Sequence, residues 1–184
     1  MENTFYHGTF CETPIINFKY AQDDIGFHFG TLNQAKTRIH DKSNKLGYIY
    51  KYHLNINNSL RLPDLSNFNY KTILHQLIEL KFKNINQIKN NIRSNSDMRN
   101  YLSTHNIDSI IYLNEKEVLE ANDLIIENNK LSAITKSSKD HPLYKEYKIV
   151  NQRLNLVIQH FAEDSILVLS PSNIKLIPHE TQVF

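Results

Sequence analysis

Glycine is scarce in this chain, with four in 184 residues. Three of the four fall in two short stretches near the N-terminus, Tyr6-His7-Gly8-Thr9 and Gly26-Phe27-His28-Phe29-Gly30-Thr31. Glycine is used where a side chain would obstruct a close approach or where φ must be positive, so rare glycines beside histidines point to a placed site. Cysteine is scarcer still. Cys11 stands alone, which excludes an intramolecular disulfide and a cysteine-rich zinc site. No apolar run approaches the roughly 18 residues of a membrane span, so no membrane partner is expected. The opening MENTFYHGTF lacks the basic region and apolar core of a signal peptide. With the single cysteine, this fits a cytoplasmic location. The formal net charge of +2 is too small to argue for nucleic acid by itself.

Several catalytic signatures are missing as well. The glycines at 26 and 30 do not make the G-x-G-x-x-G dinucleotide fingerprint, and there is no P-loop and no Gly-x-Ser-x-Gly elbow. His7, His28, His40 and His53 lack the i, i+4 pair of a helical zinc site, so no metal is expected. Cys11 lies near His7 but lacks the third placed group of a thiol enzyme.

What remains is a composition of 40% hydrophobic and 22% charged residues, that of one soluble globular domain with a real core. Aromatic and β-branched content predicts strands at 3–8 and 25–30. Thr31 and Gln34 have the spacing of a capping box, followed by a helix at 32–40 with Leu32, Ala35 and Ile39 on one face and Arg38 as a surface charge. The stretch 47–55 alternates, placing Tyr48, Tyr50, Tyr52 and Leu54 on one side of a strand. Helical stripes run through 70–82 (Ile73, Leu74, Leu77, Ile78, Leu80), through 96–105 with Ser96 as its cap and Asn106 at its end, and through 143–161. Buried strands are expected at 108–113 and 165–169. A β-hairpin is expected at 124–131, turning at Asn128-Asn129. Strands at both ends with helices between give an α+β fold in which the last strand returns beside the early ones.

Five stretches, in order, resemble the ADP-ribosyltransferase superfamily in its poly(ADP-ribose)-polymerase-like and phage or bacterial toxin-like branches. They are His7-Gly8-Thr9, where the family has His-Gly-Ser/Thr; Gly26-Phe27-His28-Phe29; the tyrosine-rich strand ending at Asn55 with Leu60-Arg-Leu-Pro-Asp64; Asp108-Ser-Ile-Ile-Tyr-Leu-Asn-Glu-Lys-Glu117; and Asp164-Ser-Ile-Leu-Val-Leu-Ser-Pro-Ser-Asn-Ile-Lys175. The resemblance implies one domain over 1–184 with a split β-sheet core, peripheral helices and an insertion at about 118–163. That insertion is either a recognition element or an extra helix shielding the sheet. His28 stands where many relatives have tyrosine.

The family cleaves the bond between nicotinamide and ribose in NAD and passes ADP-ribose to an acceptor. The resemblance therefore implies NAD as substrate, an acceptor protein or nucleic acid, and an antitoxin or host protein as a further partner, with delivery into a host cell for a toxin-type effector. His7 would bond a ribose hydroxyl, Gly8 would hold the nicotinamide amide through its backbone, and Thr9 would support the turn or touch ribose. His28 would lie against the nicotinamide ring and stay neutral with NAD bound, because an imidazolium would repel the nicotinamidium. Gly26, Phe29 and Tyr50 complete the cofactor-binding set. The catalytic carboxylate falls to Glu163 or Asp164 at the start of the last central strand, then to Glu117, with Glu115 beside it. A catalytically inactive nucleotide- or partner-binding relative and an NAD glycohydrolase are the alternative readings.

Overall fold

The structure, a computed structural model, describes residues 4–14, 16–18, 23–40, 46–65, 67–136, 138–178 and 182–183. Helices and strands mix in one chain, and the strands form two four-stranded sheets. In order, the elements are β1 (Thr4–Thr9), β2 (Phe27–Phe29), α1 (Leu32–His40), β3 (Tyr48–Leu54), β4 (Ser59–Arg61), α2 (Tyr70–Glu79), α3 (Ile85–Ile88), α4 (Asn95–Thr104), β5 (Ser109–Asn114), α5 (Asn122–Thr135), α6 (Tyr144–Phe161), β6 (Glu163–Val168), β7 (Ile174–Leu176) and β8 (Gln182–Val183). Short 3-10 turns at Lys89–Asn91, Leu119–Ala121 and Pro171–Asn173 join some of them.

The first sheet runs β1-β3-β7, with β8 also on β3, and all its pairs are antiparallel. The second runs β2-β6-β5-β4 and is antiparallel except for the parallel pair β4–β5. The late strands thus return beside the early ones, as the sequence pattern predicts. The alternation of β3 decides the layering. Tyr50, Tyr52 and Leu54 face Phe27, Phe29, Ile166 and Val168 of the second sheet, while Ile49 on the opposite face packs on Ala35 and Ile39 of α1. The outer face of the second sheet, with Ile110, Tyr112 and Leu167, buries Ile73 and Leu77 of α2 and Met98 and Leu102 of α4. Besides the inter-sheet packing, one backbone bridge among the described residues joins the sheets: Tyr6 N–H donates to Gly30 O (2.9 Å) and Gly30 N–H to Tyr6 O (3.0 Å).

Several expectations shift by a turn or change type. The capping box forms: Thr31 N–H donates to Gln34 Oε1 (2.8 Å) and Gln34 N–H to Thr31 Oγ1 (3.3 Å). Helix α4 is capped by Ser94 rather than Ser96, since the Ser94 hydroxyl accepts from Asp97 N–H (3.1 Å) and Asp97 in turn accepts from Arg93 N–H (3.0 Å). Asn106, at φ 60°, ends it. Helix α2 stops at Glu79, which leaves Leu80 out of the buried stripe and exposed. The stretch 124–131 is not a β-hairpin but part of α5. Leu124, Leu131 and Thr135 recur near helical spacing, and Leu124 and Ile125 pack with Leu154, Val157 and Ile158 of α6. That tertiary contact overrides the turn propensity of Asn128-Asn129. The segment 118–163 is therefore a helical hairpin. The sequence reads 15–18 as a short strand or a turn of helix; Ile15 lies outside the described residues, while Ile16 and Phe18 pack on the inter-sheet core. No helix among the described residues is long and apolar enough to cross a membrane.

Candidate functional site

The bridge between the sheets sits at one end of a cleft. His7 follows Tyr6 on β1, and its ring Nδ1 lies 2.8 Å from the main-chain oxygen of His28 on β2. A carbonyl only accepts, so Nδ1 carries the proton and Nε2 is left as an acceptor with no protein partner among the described residues. Burial, then the Arg38 charge, push the His7 pKa down to about 4 against the raising effect of the His28 carbonyl bond. At neutral pH the ring is therefore an uncharged acceptor of fixed tautomer. It packs against Phe29, with centroids 5.7 Å apart.

His28 is held at both nitrogens. Nε2 is 3.0 Å from Asp24 Oδ2, and Nδ1 is 2.8 Å from the Tyr112 hydroxyl. Asp24 also accepts from Phe68 N–H at 2.7 Å. Burial pushes the Asp24 carboxyl up, but the bond from His28 and the Phe68 amide together bring it below the usual carboxylate value. The carboxylate can then only accept, so His28 Nε2 carries a proton. The imidazole meets Phe68 and Tyr112 edge-on, at 5.4 and 5.9 Å.

Glu117 reaches the same cleft from the turn after β5. Asn114, almost fully buried, shapes that turn: its Oδ1 accepts from Lys116 N–H (3.1 Å) and Glu117 N–H (3.2 Å). Its Nδ2 donates to Glu117 Oε2 (2.9 Å) and to Ser165 Oγ (3.0 Å). From α1, Arg38 Nη1 donates to Glu117 Oε1 at 3.4 Å. His7, Gly8, His28, Phe29, Arg38, Glu117 and Ser165 all line one small recess, with an empty volume of about 220 Å³.

The other acidic candidates sit elsewhere. The Glu163 side chain accepts from the Thr31 hydroxyl (2.6 Å) and lines a neighbouring depression that shares Glu117 and includes Phe161. Asp164 lies on the opposite face of β6, where Arg61 donates to both its oxygens (2.9 and 2.7 Å). The one-residue alternation of a strand separates these neighbours, and the sequence motif alone does not say which face is the cleft. Glu115 is exposed and lines neither.

The cofactor-binding set divides in the same way. Tyr50 is buried between the sheets, and its hydroxyl donates to the main-chain oxygen of Glu12, so it does not line the cleft. Gly26 packs on β6, where an added Cβ would lie 2.4 Å from Val168 O. Thr9 caps the turn, its hydroxyl oxygen accepting from Cys11 N–H (3.2 Å). Gly8 lines the cleft, yet what its missing side chain admits is the helix: a Cβ would stand 2.4 Å from Ala35 O. None of the four glycines has positive φ, so close approach of protein to protein, rather than to ligand, accounts for their placement.

Comparison with protein-family models, with curated proteins and with solved structures finds no match to this chain.

Asp24 and Arg38 lie outside the motif stretches of the sequence, and Tyr112, Asn114 and Ser165 lie within them without a role assigned there. Arg38, read from the sequence as a surface charge, faces the cleft. Its signal was available, because it lies one turn beyond Gln34, which the capping box ties to Thr31. Asn114 and Ser165 show only as polar residues in runs that bury their neighbours.

Proposed function

We propose that this chain is an NAD-dependent mono-ADP-ribosyltransferase of the toxin or effector type, built on an ADP-ribosyltransferase-like split sheet. The observation that carries the reading is the convergence of His7, His28 and Glu117, from three separate stretches of the sequence, on one cleft beside the bridge between the sheets. In this reading the neutral His7 Nε2 accepts from a ribose hydroxyl, and the side of the recess at His28 receives the nicotinamide. The bond from ribose C1′ to the nicotinamide nitrogen breaks, and its electron pair leaves with nicotinamide. Positive charge develops on the sugar, where the Glu117 carboxylate stabilises it. The lone pair of the acceptor then forms the new bond to C1′, and the acceptor's proton passes to solvent. Most of the rate comes from holding the sugar against fixed groups. On this geometry Glu117 takes the acid's role ahead of Glu163 and Asp164.

One observation favours the alternative of a nucleotide- or partner-binding relative without turnover: Arg38 already pairs with Glu117 across the cleft. A substrate must share or displace that contact. Incubation of the full chain with NAD labelled in its adenylate part, and with a cell extract as acceptor source, separates the readings. Label on protein or nucleic acid supports the transferase, free ADP-ribose a glycohydrolase, and intact NAD the inactive relative.

A further inference from the structure

Glu117 reaches the recess from a turn, and a turn by itself holds a long side chain poorly. Residues 115–118 belong to no helix or strand. The Arg38 contact does not fix the carboxylate either. At 3.4 Å it is longer than the usual hydrogen bond, and the Arg38 side chain is 39% exposed. The group that does fix it is Asn114, the last residue of β5 and only 4% exposed. Its Oδ1 accepts from Lys116 N–H (3.1 Å) and Glu117 N–H (3.2 Å), which sets the course of the backbone. Its Nδ2 donates to Glu117 Oε2 (2.9 Å), which sets the direction of the carboxylate. The second Nδ2 proton goes to Ser165 Oγ (3.0 Å) on β6, a residue 1% exposed.

An asparagine amide has two acceptor lone pairs and two donor protons, and here all four are used. Its orientation follows from the partners. Turned over, Nδ2 would face two backbone N–H groups and Oδ1 would face the Glu117 carboxylate. Aspartate at this place would have no proton for Glu117, and leucine would neither donate nor accept. Strand pairing holds the base of the arrangement: Asn114 lies opposite Glu163, and Ser165 is its diagonal neighbour two residues along β6. The two oxygens of Glu117 therefore have different partners, Asn114 on Oε2 and Arg38 on Oε1. A substrate that takes the place of Arg38 leaves the Asn114 bond intact, and the carboxylate keeps its aim.

We propose that Asn114 is the positioning residue for the Glu117 carboxylate, its one amide fixing both the turn that carries Glu117 and the direction in which the carboxylate points into the recess. The proposal rests on the transferase reading for the chemistry that Glu117 performs. The bond itself belongs to the resting protein and is measured without turnover.

The test follows three signals in the full chain: the ¹³C resonance of the Glu117 side-chain carboxyl, hydrogen exchange at the Lys116 and Glu117 amides, and the kinetics of NAD consumption. Asn114→Asp keeps an acceptor for both turn amides and loses the donor to Glu117. Asn114→Ser does the same without adding charge, since a hydroxyl can accept from the amides of such a turn. In both variants the two amides are expected to stay protected and the Glu117 carboxyl resonance to move. The expected fall in kcat is on the order of 10²-fold at nearly constant KM, the scale of a catalytic group displaced by about 1 Å. In a Glu117→Gln background the same substitutions are expected to change the remaining rate little, because Asn114 acts through that carboxylate. A Glu117 resonance that stays put in both variants overturns the proposal. So does an equal loss of kcat with and without Glu117→Gln, the mark of a role in the turn alone. A wild-type protein that leaves NAD intact while both variants move the resonance sinks the transferase reading and leaves the positioning bond standing.

Discussion

Acidification should destabilise this fold through His7 before any carboxylate with a shifted pKa titrates. In the unfolded chain the imidazole takes up a proton near its ordinary value of 6.5, while the fold resists protonation until about 4. The sign follows from linkage: a group whose pKa is depressed in the fold contributes stability above its unfolded value, and that contribution is lost as pH falls toward the folded value. The loss attributable to His7 is about 2 kcal/mol at pH 5 and about 3 kcal/mol at pH 4, as upper values because the ring is partly open to the cleft. Against a total stability of roughly 5–15 kcal/mol this is large. For a chain of this size it corresponds to about 4–8 °C in Tm by pH 5. Asp24 does not confuse the window, since its carboxyl titrates below 3.8 and loses its contribution only at lower pH. Urea unfolding of the wild type and of His7→Gln at pH 7.5, 6 and 5 reads the effect directly, because glutamine can still donate to the His28 carbonyl but cannot take up a proton. The wild type should lose about 2 kcal/mol more than the variant between the first and last pH. Equal losses in the two proteins would refute a buried, neutral His7.

Arg38→Gln removes the cation that helps depress His7, so the His7 pKa should rise from about 4, as an NMR titration would register. Glu117→Gln should cut NAD consumption about 10²–10³-fold, the usual effect of removing one charge-stabilising group. Asp164→Asn, which breaks an exposed pair with Arg61 away from the cleft, should leave turnover unchanged in the same assay. Gly8→Ala forces a methyl group to within 2.4 Å of Ala35 O and should cost about 1–3 kcal/mol in a denaturation experiment. Tyr52→Phe removes a buried hydroxyl that has no hydrogen-bond partner among the described residues, and thermal unfolding should show a protein as stable as the wild type or about 1 kcal/mol more so.

Periodicity carried most of the local structure. The two-residue alternation of 47–55 foretold which tyrosines face the inter-sheet core, and the Thr31–Gln34 spacing foretold the start of α1. The failures share a cause. At 124–131 a local turn signal is outweighed by packing against a helix about thirty residues later, and at 94–96 two serines compete for one cap. Which carboxylate lies beside the histidines is hidden for a related reason: Glu163, Asp164 and Glu117 look alike in a motif, but a strand sends neighbours to opposite faces and a turn carries Glu117 back to the recess lined by His7 and His28.

The sequence by itself determined the element types over most of the chain and the two histidine-bearing stretches, because these depend on residues a few positions apart. Only the tertiary structure decided that Glu117, rather than Glu163 or Asp164, shares the recess with both histidines, that Arg38 and Ser165 line it, and that Asn114 bonds both Glu117 and Ser165. Those residues are brought together by pairing between β5 and β6 and by the packing of α1, over separations at which hydrophobic period and turn chemistry carry no information.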